Sequence, residues 1–438
     1  MASRFTIPAL AFAALILAGC STASNLLNDV TGETDTQLPG KRETVTLAPG
    51  AAADAPVADT KEPVVIPAAQ TNVSWAQPGG SATNALGNLA LGPTLNRVWT
   101  VNAGEGSNSE GHIIATPIVA NGAVYVLDSE GKVIAVSANS GAKLWSVSLA
   151  PEGKRSHNAS GGGLAADGGR VYATTPFGEA LAIDASSGKI IWRKKVEAPI
   201  RAAPTVADGT IYFTGSSNEV FALKTSDGSQ VWNYQGTGGH ASIVSSPSPA
   251  VAGGFVVMPS TSGEVIAFSA SDGLEAWSDS LTSADPVAAA SNIGAISGRP
   301  VIDGGEVFAI SNSGKMACYS LTNGERRWAK DISGSQTPWA AGDFVFVISN
   351  GHTLMAVSKR TGGVRWSTEL PGKMWAGPVL GGGRLLAVSS GGKLVSVSAE
   401  TGQILTTSDI GGAFYIPPVI ANGTVYLLND DATLIALR

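Results

Sequence analysis

The chain has 438 residues, of which 44% are hydrophobic and only 14% are charged, with 54 glycines and a net charge of −6. This composition can form a sizeable core, which excludes disorder over most of the length. An acidic chain with sparse charge offers no basic field, so we expect no nucleic-acid partner.

Residues 1–19 have the pattern of a bacterial signal peptide. Arg4 precedes an apolar run, residues 9–17, that is too short to span a bilayer. The sequence Leu-Ala-Gly-Cys that ends at Cys20 resembles the lipobox of bacterial lipoproteins. This resemblance implies that the Cys20 thiol is acylated, and Ser21 in place of Asp implies the periplasmic leaflet of the outer membrane. The alternative is an ordinary secreted protein with an unmodified Cys20.

Residues 20–70 differ from the rest of the chain because they are rich in Ala, Thr, Pro and Asp. Such a segment buries too little apolar surface to offset its chain entropy. We therefore predict that the lipidated Cys20 is followed by a flexible tether up to residue 70, and that residues 71–438 form the folded domain.

The remainder of the chain repeats a turn with the pattern Ala-x5-Gly-x3-Trp. Its aromatic positions lie 38 to 51 residues apart, at Trp145, Trp192, Trp232, Trp277, Trp328, Trp366 and, in a degenerate copy, Thr406. This period is typical of a four-stranded propeller blade. We expect each tryptophan to pack between blades, with its indole N–H bonded to the backbone of a neighbour. Cys318 takes the Ala position of its copy and is predicted to be a buried, unreactive thiol.

Eight units also begin alike, with a short apolar strand and a glycine turn. Their starts are Pro117, Leu164, Pro204, Pro249, Pro300, Pro338, Pro378 and Pro418. The eighth unit reaches Arg438 without a fourth strand, whereas residues 95–99 form a strand that ends in Trp99 with no blade before it. We predict an all-β, eight-bladed β-propeller of four-stranded antiparallel blades, in which this N-terminal strand closes the ring.

Few residues of the sequence suggest a catalytic, metal-binding or ligand-binding role. Trp339 and Trp375 break the repeat and are candidates for lining the central channel. The four histidines share no metal-ligand spacing, and the glycine runs at residues 161–163 and 381–383 lack the Lys-Ser/Thr of a phosphate loop. We therefore predict no catalytic residue, no metal site and no cofactor.

The unit from Ala182 to Trp192 resembles the PQQ-like propeller repeat. That repeat occurs in quinoprotein dehydrogenases and in the BamB family of outer-membrane assembly lipoproteins. The lipobox, the tether, the eight units and the Trp-Ala-Gln-Pro-Gly-Gly at residues 75–80 resemble the BamB family. The dehydrogenases typically have two adjacent cysteines, calcium ligands and an Asp base, and we find no matching set here. A PQQ-dependent dehydrogenase and a propeller that binds a small ligand or polysaccharide remain the alternatives.

Resemblance to BamB implies a non-catalytic scaffold on the periplasmic face of the outer membrane. Its implied partners are the periplasmic repeats of the barrel-forming subunit of the assembly machinery and nascent outer-membrane proteins. The family docks through the two loops equivalent to residues 232–249 and 277–300, with Leu, Arg and Asp side chains. The corresponding residues here are Ala241, Ile243, Val244, Ala295 and Ser297. Only the apolar character at Ile243 is kept, so the resemblance implies the docking face more firmly than the individual contacts.

Overall fold

The structure is a computed structural model, and it describes residues 58–438 except 110, 152–160, 197, 237–246, 282–295, 313, 351 and 373. All the regular elements in these ranges are β-strands. Within the same ranges, no helix has the length and apolar character needed to cross a membrane.

Thirty-two strands form eight sheets of four. Blades 1 to 4 comprise β2 (Ile118–Ala120), β3 (Ala123–Leu127), β4 (Lys132–Ser137), β5 (Lys143–Ser148); β6 (Gly163–Asp167), β7 (Arg170–Thr175), β8 (Glu179–Asp184), β9 (Ile190–Lys195); β10 (Thr205–Ala207), β11 (Thr210–Thr214), β12 (Val220–Lys224), β13 (Gln230–Tyr234); and β14 (Ala250–Ala252), β15 (Phe255–Pro259), β16 (Glu264–Ser269), β17 (Glu275–Ser280). Blades 5 to 8 comprise β18 (Val301–Asp303), β19 (Glu306–Ile310), β20 (Met316–Ser320), β21 (Arg326–Lys330); β22 (Trp339–Ala341), β23 (Phe344–Ile348), β24 (Thr353–Ser358), β25 (Val364–Glu369); β26 (Trp375–Gly381), β27 (Arg384–Ser389), β28 (Lys393–Ser398), β29 (Ile404–Asp409); and β30 (Val419–Ala421), β31 (Thr424–Leu428), β32 (Thr433–Leu437), β1 (Arg97–Asn102).

Each blade is an antiparallel sheet, and the eight-bladed β-propeller predicted from the repeats is confirmed. Burial follows the radial position of a strand: β3 is buried along its whole length, whereas β5 alternates between exposed and partly exposed residues. Strands that pack between two neighbouring blades need apolar residues on both faces, which explains why the inner strands are continuous hydrophobic runs. The Asn121–Gly122 turn has positive φ at both residues (+53° and +74°), as a tight hairpin requires.

The N-terminal strand β1 completes blade 8, as predicted, although it spans Arg97–Asn102 rather than residues 95–99. It pairs with β32, and Trp99 lies opposite Ala436. In a complete blade such as blade 3, Trp232 lies opposite Ala222 in the same way. Both pairs adjoin an irregularity in register. Two strands that are distant in the sequence, β1 and β32, therefore reproduce the pair of outer strands of an ordinary blade.

Seven tryptophans connect a blade to the next one, at every junction except that between blades 7 and 8. Each indole N–H donates to a backbone carbonyl of the following blade at 2.6 to 3.2 Å, which confirms the predicted role; the pairs are Trp99–Ala138, Trp145–Ala185, Trp192–Thr225, Trp232–Ala270, Trp277–Leu321, Trp328–Lys359 and Trp366–Ala399. Cys318 lies opposite Trp328 and is fully buried. Burial raises the pKa of its thiol to about 12, as expected for an unreactive cysteine.

Residues 59–67 also contact the propeller. The Asp59 N–H donates to the carbonyl of Val364, and the Glu62 carboxylate accepts from the Ser358 hydroxyl. Val64 is buried in the core cluster. The described contacts thus begin twelve residues before the domain boundary predicted at residue 71, because backbone and carboxylate groups bind this segment to the outer strands of blade 6.

Candidate functional site

One end of the central channel is covered by residues 72–89, which we call the floor segment. It makes a complete circuit and bonds with all eight blades in their cyclic order. Starting from blade 8, the bonded pairs are Asn72–Ile420, Trp75–Val119, Ala76–Ala166, Gln77–Val206, Ala82–Val251, Thr83–Ile302, Gly87–Trp339 and Leu89–Leu380.

The floor segment uses the free edges of the innermost strands. Most of these bonds fall on the second residue after the start of a unit, such as Val119 after Pro117 and Ile302 after Pro300. An innermost strand pairs with its second strand on one side only, so its other edge presents unpaired backbone groups to the channel. Hydrogen bonds between the irregular floor segment and these edges pair the backbone groups of both. These bonds hold the segment across the end of the channel.

Two tryptophans anchor this floor. Trp75 is 1% exposed and stacks on Trp339, with ring centroids 5.8 Å apart and planes inclined by 19°. The Trp339 indole N–H donates to the carbonyl of Gly87. The candidate Trp339 is therefore part of the channel, as predicted, and it is held by the floor segment.

Above the floor lies a funnel with a cavity of about 170 Å³. Its wall includes the residue just before the unit start in seven blades, a set that we call the collar: Thr116, Ala203, Ser248, Arg299, Thr337, Gly377 and Pro417. Gly163 takes this place in blade 2, where an added Cβ would lie 2.3 Å from the Cβ of Ala203. The collar residues are small or short except for Arg299, whose long side chain occupies the space that the others leave.

Arg299 crosses the funnel. Its guanidinium donates to three collar hydroxyls: Nε to Ser248 Oγ at 3.2 Å, Nη1 to Thr337 Oγ1 at 3.4 Å and Nη2 to Thr116 Oγ1 at 3.1 Å. These hydroxyls are neutral, and no acidic side chain of the described residues lines the funnel. Burial lowers the pKa of Arg299 to about 10, because the charged form loses solvent without gaining a counter-charge. Sequence reasoning missed this residue, although aligning the residues before each Pro shows that it is the charged one.

A second cavity of about 150 Å³ adjoins the funnel and shares Ser335, Gln336 and Tyr415 with it. Trp375, the other period-breaking tryptophan, lines this cavity and is 4% exposed. Its buried indole N–H has no hydrogen-bond acceptor among the described residues. The Gln336 side-chain oxygen accepts from the Gly377 N–H at 3.3 Å, which leaves the Gln336 amide N–H groups available as donors.

The lining of these cavities does not fit the calcium-bound quinone of a dehydrogenase. Calcium is held by carboxylate and carbonyl oxygens. The described lining of both cavities contains two arginines, Arg201 and Arg299, and neither an acidic residue nor a cysteine. In the same part of the chain, no group of three or more His, Cys, Asp or Glu side chains could hold a metal ion.

Most residues predicted for partner binding lie outside the described residues: Ala241, Ile243, Val244 and Ala295, as does Cys20. Ser297 is described; it lines the funnel, and its hydroxyl accepts from the Asn312 side chain at 2.9 Å. Pro247 and Ser248, which follow the first loop, also line the funnel. The described ends of the two candidate docking loops therefore lie at the funnel wall.

Eight four-stranded blades joined by a recurring tryptophan hydrogen bond define a β-propeller of the PQQ-like repeat class. A family profile described as outer membrane protein assembly factor BamB matches residues 93–160, 129–368 and 350–438. The chain belongs to the BamB family.

Curated relatives carry the same description. The BamB of Nitrosomonas eutropha is 24% identical over 241 residues, or 55% of this chain and 56% of the relative. The BamB of Burkholderia pseudomallei is 24% identical over 55% of this chain and 60% of the relative. The chain thus matches somewhat more than half the length of these relatives.

Solved structures share the fold. The crystal structure of BamB from Moraxella catarrhalis superposes with a TM-score of 0.68 at 19% identity, covering 79% of this chain and all of that one. A quinohemoprotein alcohol dehydrogenase from Comamonas testosteroni reaches 0.65 at 14% identity, covering 83% of this chain and 80% of that one. Fold similarity alone does not distinguish the BamB family from the quinoprotein dehydrogenases, whereas the family profile does.

Proposed function

We propose that this protein is a non-catalytic scaffold lipoprotein of the outer-membrane β-barrel assembly machinery. The observation that carries the proposal is the BamB family match, which extends from residue 93 to residue 438. The composition of the funnel supports it, because the described lining offers neither carboxylates for calcium nor a carboxylate base. In this role the protein binds the periplasmic repeats of the barrel-forming subunit and promotes folding and insertion of outer-membrane proteins.

The proposal includes a lipid anchor at Cys20. The lipobox that ends at Cys20 supports it, and a lipid anchor would place the propeller at the periplasmic face of the outer membrane. Replacing Cys20→Ser should release a folded protein into the soluble periplasmic fraction. Cys318→Ser is the matched control, because it removes the chain's other cysteine and should leave the protein in the membrane fraction. Retention of the Cys20→Ser protein after a high-salt wash would exclude the anchor.

The proposed docking surface is the funnel face, with the loops that precede β14 and β18. Ile243→Asp combined with Val244→Asp should weaken binding to the barrel subunit's periplasmic region at least tenfold, because apolar docking surface is replaced by charge. Leu274→Asp is the control: Leu274 is 69% exposed in the turn between β16 and β17, at the opposite end of the blade from the docking loops. Calorimetry gives the affinity, and a melting curve shows whether each variant folds. Equal affinities for the double variant and the wild-type protein would refute the docking surface.

Nascent outer-membrane proteins are further proposed partners. Strand β29 supports this extension, since it is the outer edge of blade 7 and all six of its residues are exposed. An extended chain can pair with such an edge through main-chain hydrogen bonds. A photo-crosslinker at Thr407 should capture unfolded outer-membrane protein, whereas one at Lys194 on the basic edge strand β9 should not. Equal capture at both positions would contradict strand pairing at β29.

A further inference from the structure

The assembly role does not explain the residue composition of the funnel wall. Its described wall contains two arginines and several hydroxyl groups, and neither aspartate nor glutamate. Arg299 is half-buried in this wall, so solvent stabilises its charge less than it would on the outer surface. An ion without a counter-charge in such a place is unfavourable unless another group neutralises it.

The donors around Arg299 also exceed the acceptors. The guanidinium has five N–H groups, of which three donate to the Ser248, Thr337 and Thr116 hydroxyls. These bonds, at 3.1 to 3.4 Å, are longer than the 2.7–2.9 Å typical of a bond between a guanidinium and a carboxylate. The collar therefore positions the guanidinium without supplying a negative charge.

The adjoining cavity adds donors of the same kind. The orientation of Gln336 leaves its amide N–H groups available, and the buried N–H of Trp375 has no acceptor among the described residues. Buried donors in native proteins are nearly always paired, so an unpaired one indicates an acceptor outside the described residues, such as a ligand group. Arg299, Gln336 and Trp375 thus share a need for acceptor oxygens.

We propose that the funnel is a binding site for a carboxylate group, held by the Arg299 guanidinium with the Gln336 amide and the collar hydroxyls. A planar guanidinium matches the two oxygens of a carboxylate, which a compact cation such as Lys does not. The cavity of about 170 Å³ admits a small dicarboxylate or the acidic side chain of a bound protein. The chemistry is the same for both sources. This site stands apart from the assembly role, which rests on the family match.

The test uses the full-length protein and matched probe pairs at constant ionic strength. Succinate is compared with succinamide, and acetyl-Gly-Glu-Gly-amide with acetyl-Gly-Gln-Gly-amide, by calorimetry and by the shift in melting temperature. We expect each carboxylate probe to bind at least tenfold more tightly than its amide. Tighter binding of succinate identifies a small-molecule ligand, and tighter binding of the Glu peptide identifies a protein side chain. Equal binding of carboxylates and amides would overturn the proposal.

Variants then assign the site to Arg299. Arg299→Gln should lower the affinity for succinate or the Glu peptide at least tenfold, and Arg299→Lys should restore part of it. Arg365→Gln, which removes the same charge from β25 outside the funnel, should bind like the wild-type protein. Wild-type affinity in a folded Arg299→Gln protein would exclude this residue. If Arg299→Gln does not fold, the probe pairs on the wild-type protein and on Arg299→Lys decide the question.

Discussion

The blades of this propeller are joined by two kinds of contact between neighbours, which we call seams. At seven seams a tryptophan of one blade packs on a glycine in the outer turn of the next blade. A Cβ added to these glycines would lie 2.6 to 2.9 Å from the indole ring, as for Gly141 against Trp99 and Gly324 against Trp277. The eighth seam, from blade 7 to blade 8, has Thr406 in the place of the tryptophan.

The exception has a structural reason. Blade 8 has no turn between its two outer strands, because these are β32 and β1, which pair in space but lie far apart in the sequence. No glycine is therefore presented to a tryptophan from blade 7. The degenerate seventh repeat is matched to the position where the ring is closed. The Trp of each motif copy therefore pairs with the Gly of the next copy, which belongs to the following blade.

The same comparison explains the geometry of the glycines. All seven have φ between +69° and +75°, which is a left-handed conformation that favours glycine. The turn requires this φ, and the neighbouring indole requires the missing Cβ. Two independent constraints thus act at one position, which explains why all seven copies of the motif keep glycine there.

The largest expected effect is on closure itself. Relative to a chain that starts at residue 58, deletion of residues 1–103 removes β1 with Trp99 and should abolish cooperative unfolding, because blade 8 loses its fourth strand and the ring opens. Deletion of residues 1–90 keeps β1 but removes the floor segment, and should lower the melting temperature while leaving a cooperative transition. Calorimetric scans measure both. Equal melting temperatures for the two deletions would show that β1 does not close the ring.

An intermediate effect is expected from exchanging one seam for the other. Trp277→Ala should lower the free energy of unfolding by about 3–5 kcal/mol, because it creates a cavity and removes the bond to the Leu321 carbonyl. Thr406→Ala, at the seam without a tryptophan, should lower it by no more than about 0.5 kcal/mol, as for an ordinary surface substitution. Urea unfolding monitored by circular dichroism provides both values. Similar losses in the two variants would mean that the indole contributes little to joining the blades.

The smallest effect separates the two constraints on the glycines. Gly423→Ala tests the left-handed φ alone, since no atom lies within 4 Å of its added Cβ, and should lower the free energy of unfolding by about 1–2 kcal/mol. Gly402→Ala combines a similar φ with a contact of 2.6 Å to Trp366, so its loss should be larger by about 1–3 kcal/mol. Relative to Trp366→Ala alone, the double variant Gly402→Ala with Trp366→Ala should show no such excess, because the contact with the indole is absent from both. A persistent excess in the double variant would assign it to the backbone instead.

Much of the fold could be predicted because its signals are local and repeated. The Gly-x-x-x-Trp spacing gave the blades, and the Pro-type starts gave their number. The unpaired strand around Trp99 indicated the closure, although the structure moves its bounds to Arg97–Asn102. The bounds shifted because register in a sheet is fixed by the partner strand, here β32, and not by the sequence of β1 alone.

The funnel could be predicted only in part. Trp339 and Trp375 were identified because they break the repeat, whereas Arg299 and the floor segment were not. The residues before the Pro-type starts are far apart in sequence and share no residue type, so only the closed ring brings them to one collar.

The sequence by itself thus determined the blades, the tryptophans between them and the closing strand, because strand periodicity and turn conformation are properties of neighbouring residues. The tertiary structure alone decided that residues 72–89 cross the channel and that Arg299 lies above them with no acidic partner among the described residues. An irregular segment has no period of its own. Its path is set by the free backbone edges of seven innermost strands and by the Trp339 indole of the eighth, which become neighbours only when the ring is complete.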